Sequence, residues 1–385
     1  MKFALLILFA YSFQEFTLAA CNDGYTDRMC GEDLTKLWLD IVIVIDTSKG
    51  MTDHGLKGVS SDISSLFVDG LQLGIQPNDP RTSRIGIVTY DKNASEIASL
   101  NQFNDLKDLK HCVTSSLQKV SDTEESYLLT GLEVAQQMLQ KESFDTERDH
   151  YKKLIILYAA SYESFGSMDP VPFAKRLKQN GISIATVSWT RGEDDKILDQ
   201  KLSFIASPGY GFSRQHGPVS ELRTTMLQVN CYCPNGWFQM SSVSNFKLGV
   251  CLIPVTLQAT WTAAKFSCRN YWKNGYLVNE HTQTKHDFVQ GLVRNNTAFT
   301  PPYNYFIGLS YSSDNWYWEQ PSGEPQIALK NWQAWSPGFP ITSSTKTVTL
   351  AQSSGWQNTD KNEAQYYVCE VATCDSTNYC RADDD

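Results

Sequence analysis

Four β-branched apolar runs in the first half of the chain constrain its fold most. Trp38–Ile45 is apolar on both faces over the length of a strand, as a buried parallel strand should be. Arg84–Tyr90, Lys153–Tyr158 and Gly181–Val187 repeat the type. Helical patterns lie between them at Ile63–Leu71, Leu106–Val120, Leu129–Leu139, Val171–Gln179 and Lys196–Ile205, and Asn180-Gly181 is a helix stop. This alternation predicts an α/β doubly wound parallel sheet with helices on both faces. Ligands of such sheets sit at the C-terminal strand ends, so the residues after Ile45 and Tyr158 are the ones to inspect.

The cysteines divide the chain. Cys21, Cys30 and Cys112 are sparse over the first 230 residues, and seven more crowd into Cys231–Cys380. The second part is also rich in tryptophan. It offers an amphipathic helix at Trp261–Cys268 and short strands at Phe306–Leu309, Trp316–Trp318, Thr347–Leu350 and Tyr366–Cys369, an α+β pattern. A length of 385 residues suits two such domains. With 33 basic against 42 acidic side chains, the net charge of −9 argues against nucleic acid and against an anionic membrane surface as partners.

Lys2, the apolar run Phe3–Ala10 and the small residues Ala19 and Ala20 read as a secretory signal peptide. Leu18-Ala19-Ala20-Cys21 also has the form of a bacterial lipoprotein signal, which the sequons and the domain pairing below argue against. No later run reaches the ~20 apolar residues of a membrane span. The expected organisation is 1–20 signal peptide, 21–34 cysteine-containing segment, 35–230 first domain, 231–374 second domain and 375–385 acidic tail. In a secreted chain ten cysteines read as disulfides. Cys21–Cys30 is expected to close a local loop, Cys112 to reach Cys231 or stay free, and the pairing of Cys231, Cys374 and Cys380 is open. Asn93-Ala-Ser95 and Asn295-Asn-Thr297 are glycosylation sequons that belong on exposed loops.

Asp46-Thr47-Ser48-Lys49-Gly50, directly after the first strand, resembles the metal-binding start of a von Willebrand factor A domain, Asp-x-Ser-x-Ser. Arg84–Tyr90 and Leu129–Ala135 support the resemblance, which covers about residues 35–230. It implies a divalent cation at the strand end, completed by a carboxylate from a protein partner. Asp46 and Ser48 match the first two ligands, but Gly50 replaces the second serine. By the Thr130-Gly131 register the family's threonine falls at Leu128, and its aspartate at Ala159 or Ala160. Asp46 and Ser48 are therefore a degenerate remnant, and no functional metal is expected.

Cys233–Trp237, the helix ending at Cys268, Phe306–Leu309, Trp316–Trp318, Gly355-Trp356 and Val368–Glu370 occur in the order of a C-type lectin domain, which this part resembles over about residues 231–374. The resemblance implies disulfides Cys268–Cys369 and Cys233–Cys251. In sugar-binding members calcium is held by Glu-Pro-Asn in the long loop and by Asn-Asp after the loop tryptophan. Here Asn331–Ile341 occupies that loop, Phe339-Pro340-Ile341 stands in the first position, and Trp356-Gln357-Asn358 leaves no carboxylate in the second. Glu324-Pro325-Gln326 comes too early in the order. Metal-free stacking on aromatics remains, with Trp332, Trp335, Phe339 and Tyr303 as candidates. Trp316, Trp318, Trp332 and Trp356 read better as core, which leaves Trp335 and Phe339 as the ligand-binding candidates.

The six histidines show no zinc spacing, and there is no nucleophile elbow, phosphate loop or paired-carboxylate signature. No catalytic residue is assigned. The domain order is similar to a group of secreted nematode C-type lectin proteins. It implies a secreted, extracellular recognition or adhesion protein that binds microbial or host glycans or surface glycoproteins in innate defence. A calcium-dependent lectin using Glu319, Glu324 and Asn358, and a scaffold docking a protein through its A-type domain, are the alternatives. The ligand sets support neither calcium nor magnesium as cofactor.

Overall fold

The computed structural model describes residues 27–381 except 75–78, 142–147, 162, 164–165, 191–194, 243 and 331. The expected signal peptide, Cys21 and the last four residues of the acidic tail lie outside the described residues.

Strand β1 (Leu39–Asp46) is buried at every position because both of its faces are covered. It pairs in parallel with β2 (Arg84–Tyr90) on one side and β4 (Lys152–Ala159) on the other. Between β2 and β4 run β3 (Ala94–Ala98), α2 (Leu106–Ser116) and α3 (Leu128–Lys141); α1 (Asp53–Leu66) follows β1. The domain continues with α4 (Val171–Gln179), β5 (Ile182–Ser188), α5 (Asp195–Ile205), β6 (Gly211–Ser213) and α6 (Val219–Val229). The sheet order is β3-β2-β1-β4-β5-β6, parallel except for the edge strand β3. Ile41, Ile43 and Ile45 face the α1, α2 and α6 side, whereas Val42 and Val44 pack with α3, α4 and α5. Gly131 lets α3 sit close, since a Cβ there would lie 2.8 Å from Val44 Cγ1. Gly181 ends α4 at φ +79°, a left-handed conformation that glycine adopts without strain.

The second sheet is built from β7 (Phe238–Ser241), β8 (Lys247–Thr260), β9 (Tyr276–Leu277), β10 (Tyr305–Ser312), β11 (Asn315–Trp318), β12 (Ile327–Ala328), β13 (Val348–Gln352), β14 (Gly355–Thr359) and β15 (Ala364–Ala372). Its main path is β12-β11-β10-β15-β8-β7, with the β13–β14 hairpin attached to β10. Two helices pack on it, α7 (Trp261–Tyr271) and α8 (Gln283–Asn295). The chain thus has the expected fold class: a doubly wound α/β sheet followed by a disulfide-bonded α+β domain.

Four disulfides join described cysteines: Cys30–Cys231, Cys233–Cys251, Cys268–Cys369 and Cys374–Cys380. The expected Cys21–Cys30 loop is overturned. Residues 28–30 run along β8, where Gly249 donates to the Arg28 carbonyl and Met29 bridges Leu248, and this brings Cys30 onto Cys231. Cys112 does not reach Cys231; it is a half-buried free thiol on α2.

The same segment joins the two sheets. Arg28 makes a two-pronged ion pair with Asp375, at 2.6 and 3.1 Å. Trp38 is fully buried and ringed edge-on by Tyr151, Tyr232 and Tyr379, and its indole nitrogen donates to the Asp375 carbonyl. Lys285, buried on α8, is paired with Glu370 at 2.8 Å and with Asp27 at 3.3 Å. Among the described residues no helix is long and apolar enough to cross a membrane.

Candidate ligand-binding sites

Asp46 ends β1 with its carboxylate fully buried. Oδ1 accepts from the Ser48 backbone N–H at 2.8 Å. Oδ2 accepts from the Ala160 and Ser161 N–H groups at 3.2 and 3.3 Å and from the Ser126 hydroxyl at 3.2 Å. Burial raises the Asp46 carboxyl above its ordinary value, and these donors work against that rise. Backbone bonds close the loops over the strand end: Lys49 donates to Thr123, Ser121 to Thr47, and Glu163 to Ser126.

The structure brings Asp46, Ser48, Gly50, Ser126 and Ala160 together. A Cβ at Gly50 would lie 3.7 Å from Ser48 Oγ and 4.0 Å from Ala160 Cβ. Leu128, assigned to the ligand register, is instead core, and the hydroxyl beside Asp46 comes from Ser126, two residues earlier. Three hydroxyls, of Ser48, Ser126 and Ser161, and one carboxylate remain, short of six oxygens. That carboxylate already receives four donors, three of them backbone N–H groups aimed at the oxygens a cation would need. Magnesium prefers six oxygens in octahedral array, so the residues present do not fit it. Ser48 Oγ is buried without a hydrogen-bond partner among the described residues, and one orphan hydroxyl does not make a cation shell.

In the second domain the long loop is closed by Asn358 on β14. Its Oδ1 accepts from the Ile341 N–H at 2.8 Å, and its Nδ2 donates to the carbonyls of Ile341 and Lys346 at 2.7 and 2.9 Å. Glu319 is buried and paired with Lys265 at 2.7 Å and Gln326 at 2.8 Å. Glu324 lines a different cleft, of about 510 Å³, at the joint near Arg28, Trp272 and Tyr379. Glu319, Glu324 and Asn358 are thus committed to other contacts or surfaces, and among the described residues no three acidic, histidine or cysteine side chains gather as a metal site.

Trp335 is half-buried and is one rung of an aromatic series. Its ring lies 5.7 Å from buried Trp356 and 5.0 Å from Trp316, which lies 5.3 Å from exposed Tyr311. Trp318 and Trp356 are core, while Trp316 and Trp332 are half-buried against it. Phe339 is half-buried in the loop. The open end of the series leads into a cleft of about 460 Å³ walled by Tyr311, Trp316, Pro340, Ile341, Lys346 and Asn358. Trp335 and Phe339 do not line it.

Beneath the loop lies a network that the sequence did not reveal. Buried Glu280 accepts from Trp356 Nε1 at 2.6 Å and from Tyr305 Oη at 2.7 Å, and meets His286 Nδ1 at 2.7 Å. Burial opposes charge on His286, but the Glu280 hydrogen bond and charge outweigh it and raise the imidazole pKa. The His286 ring packs 5.8 Å from Trp332. The sequons lie on the surface: Asn93 in the β2–β3 turn and Asn295 at the end of α8 are exposed.

Both folds are those of recognition domains, not of a catalytic family. Residues 40–215 match the von Willebrand factor type A domain family, and residues 257–371 match the Lectin C-type domain family. The chain carries a von Willebrand factor A domain followed by a C-type lectin domain. It is 28% identical over 373 residues to C-type lectin domain-containing protein 160 of Caenorhabditis elegans, which covers 92% of this chain and 56% of that protein. The chain therefore spans little more than half the length of that relative. It is also 29% identical over 149 residues to one polypeptide of the snaclec coagulation factor IX-binding protein of Protobothrops flavoviridis, covering 36% of this chain and 99% of that one. Among solved structures, mussel byssus proximal thread matrix protein 1 aligns at 18% identity and TM-score 0.40, over 52% of this chain and 47% of that one. Human lithostathine aligns at 24% identity and TM-score 0.30, over 36% and 99%.

Proposed function

We infer that this is a secreted, non-catalytic recognition protein whose lectin domain binds glycans or glycoproteins of microbial or host surfaces without calcium, in innate defence. The observation that carries the reading is Asn358. Its oxygen accepts from a backbone N–H and its amide donates to two carbonyls, so the side chain is oriented to close the loop, and no carboxylate stands in its place to hold an ion. The cleft that remains offers aromatic walls and hydroxyls. Exposed rings flanked by polar groups suit the apolar face and hydroxyl rim of a sugar. Four disulfides belong to an oxidising compartment and support secretion. The defence role rests on the domain order alone.

The test is binding of the purified chain to a glycan array and to whole microbes, in calcium and in EDTA. The expected result is binding that persists in EDTA and is lost in Trp316→Ala. Binding abolished by EDTA would overturn the metal-free reading.

A further inference from the structure

The cleft beside Asn358 has an electrostatic character that its shape alone does not require. Of the residues that line it, Lys346 is the one that carries a charge. Its ammonium has no ion pair or hydrogen-bond partner among the described residues, whereas the backbone carbonyl of the same residue is held by Asn358. The loop is therefore pinned at Lys346 while its charge stays available. No described carboxylate lines the cleft, in a chain whose net charge is −9. The remaining walls are the half-buried Trp316 ring, the exposed Tyr311 ring and the hydroxyl-bearing segment Thr342–Ser344.

We propose that this cleft selects an acidic saccharide, one bearing a carboxylate or a sulfate, with Lys346 pairing the anion while Tyr311 and Trp316 stack on the sugar ring. The proposal rests on the metal-free reading above and names the ligand class of that same site. An uncompensated ammonium beside stacking rings favours an anion over a neutral sugar of equal size, because both gain the stacking contact and the anion alone gains the charge-assisted hydrogen bond. The volume of about 460 Å³ lies within the range of small-ligand clefts. Lys346 is then a specificity-determining residue and not the source of the whole affinity.

The experiment titrates the full chain in EDTA with three tetrasaccharides: neutral N-acetylglucosamine units, a glucuronate-bearing one and an O-sulfated one. At low salt at least one acidic ligand should bind about fivefold or more tightly than the neutral one, as a partly exposed ion pair permits. The margin should shrink with added salt. Lys346→Gln should remove that margin, and Lys346→Arg should keep it. Ile341→Asp, which places a carboxylate in the wall, should reverse it. A margin for only one of the two acids identifies the group that Lys346 meets. Equal affinity for all three ligands, or a margin that survives Lys346→Gln, would overturn the proposal while the cleft stands as a metal-free sugar site. If no ligand binds in EDTA but binding returns with calcium, the underlying reading fails as well.

Discussion

All three strong hydrogen bonds of the Asn358 side chain go to the loop that it closes, so its chemistry is that of a clasp. Asn358→Asp changes one group and turns two attractive contacts into repulsive ones, because a carboxylate oxygen would face the Ile341 and Lys346 carbonyls. The expected cost is about 1–3 kcal/mol of stability, read from urea denaturation. Added calcium should not restore it, since Glu319 is paired with Lys265 and Glu324 lines a different cleft. Asp46 is used in the same way: its lone pairs are filled by the donors of Ser48, Ser126, Ala160 and Ser161. In the sequence both sites read as losses, a serine missing at Gly50 beside a matching Asp46 and an aspartate missing at Asn358. What replaced the ions was not legible, because three of the donors to Asp46 are backbone N–H groups, which carry no residue signature.

The elements that were legible are those buried on both faces or fully amphipathic. β1, β2, β4 and β5 fall on the four apolar runs to within a residue or two, and α4 covers the expected Val171–Gln179. α1 begins at Asp53, ten residues before the expected Ile63, since Gly55 and Gly58 break the apolar pattern while packing against Trp189. α8 was missed altogether. Its buried face includes Lys285, His286 and Gln290, which periodicity assigns to solvent, and only their partners Glu370, Glu280 and Tyr305 make that burial tolerable. His286 makes α8 sensitive to pH. Its folded pKa lies above the ordinary 6.5, so its contribution is fully present below that pH and is lost as pH rises through the folded value. The urea midpoint should therefore fall over that range, and His286→Gln should lower it at acid pH and flatten the profile. Glu280, Asp287 and Arg294 all act on this imidazole, so a variant of any of them should move the midpoint of the profile.

On the scale of the molecule, the joint around Trp38 sets how the two domains behave together. The ring touches Tyr151 just before β4, Tyr232 from the connecting segment and Tyr379 from the C-terminal disulfide loop. Trp38→Ala should cost about 3–5 kcal/mol and, because the loss falls at the joint, split a single calorimetric transition into two. A variant that lowers the midpoint but keeps one transition would show that the Cys30–Cys231 bond and the Arg28–Asp375 pair suffice to couple the domains.

That Cys30–Cys231 bond also decides where tension travels. A pull entering before Cys30 and leaving after Cys380 crosses directly to Cys231, so the entire first sheet hangs as a closed loop beside the line of force. Further on, Cys233–Cys251, Cys268–Cys369 and Cys374–Cys380 carry the load past most of the lectin domain. Only the stretches 231–233, 251–268 and 369–374 can lengthen; their taut length is about 85 Å at most, and much of it is already extended in β8 and β15. A tethered molecule of this design would keep both recognition surfaces folded under shear, and reducing its disulfides would turn a short, stiff link into a long, yielding one.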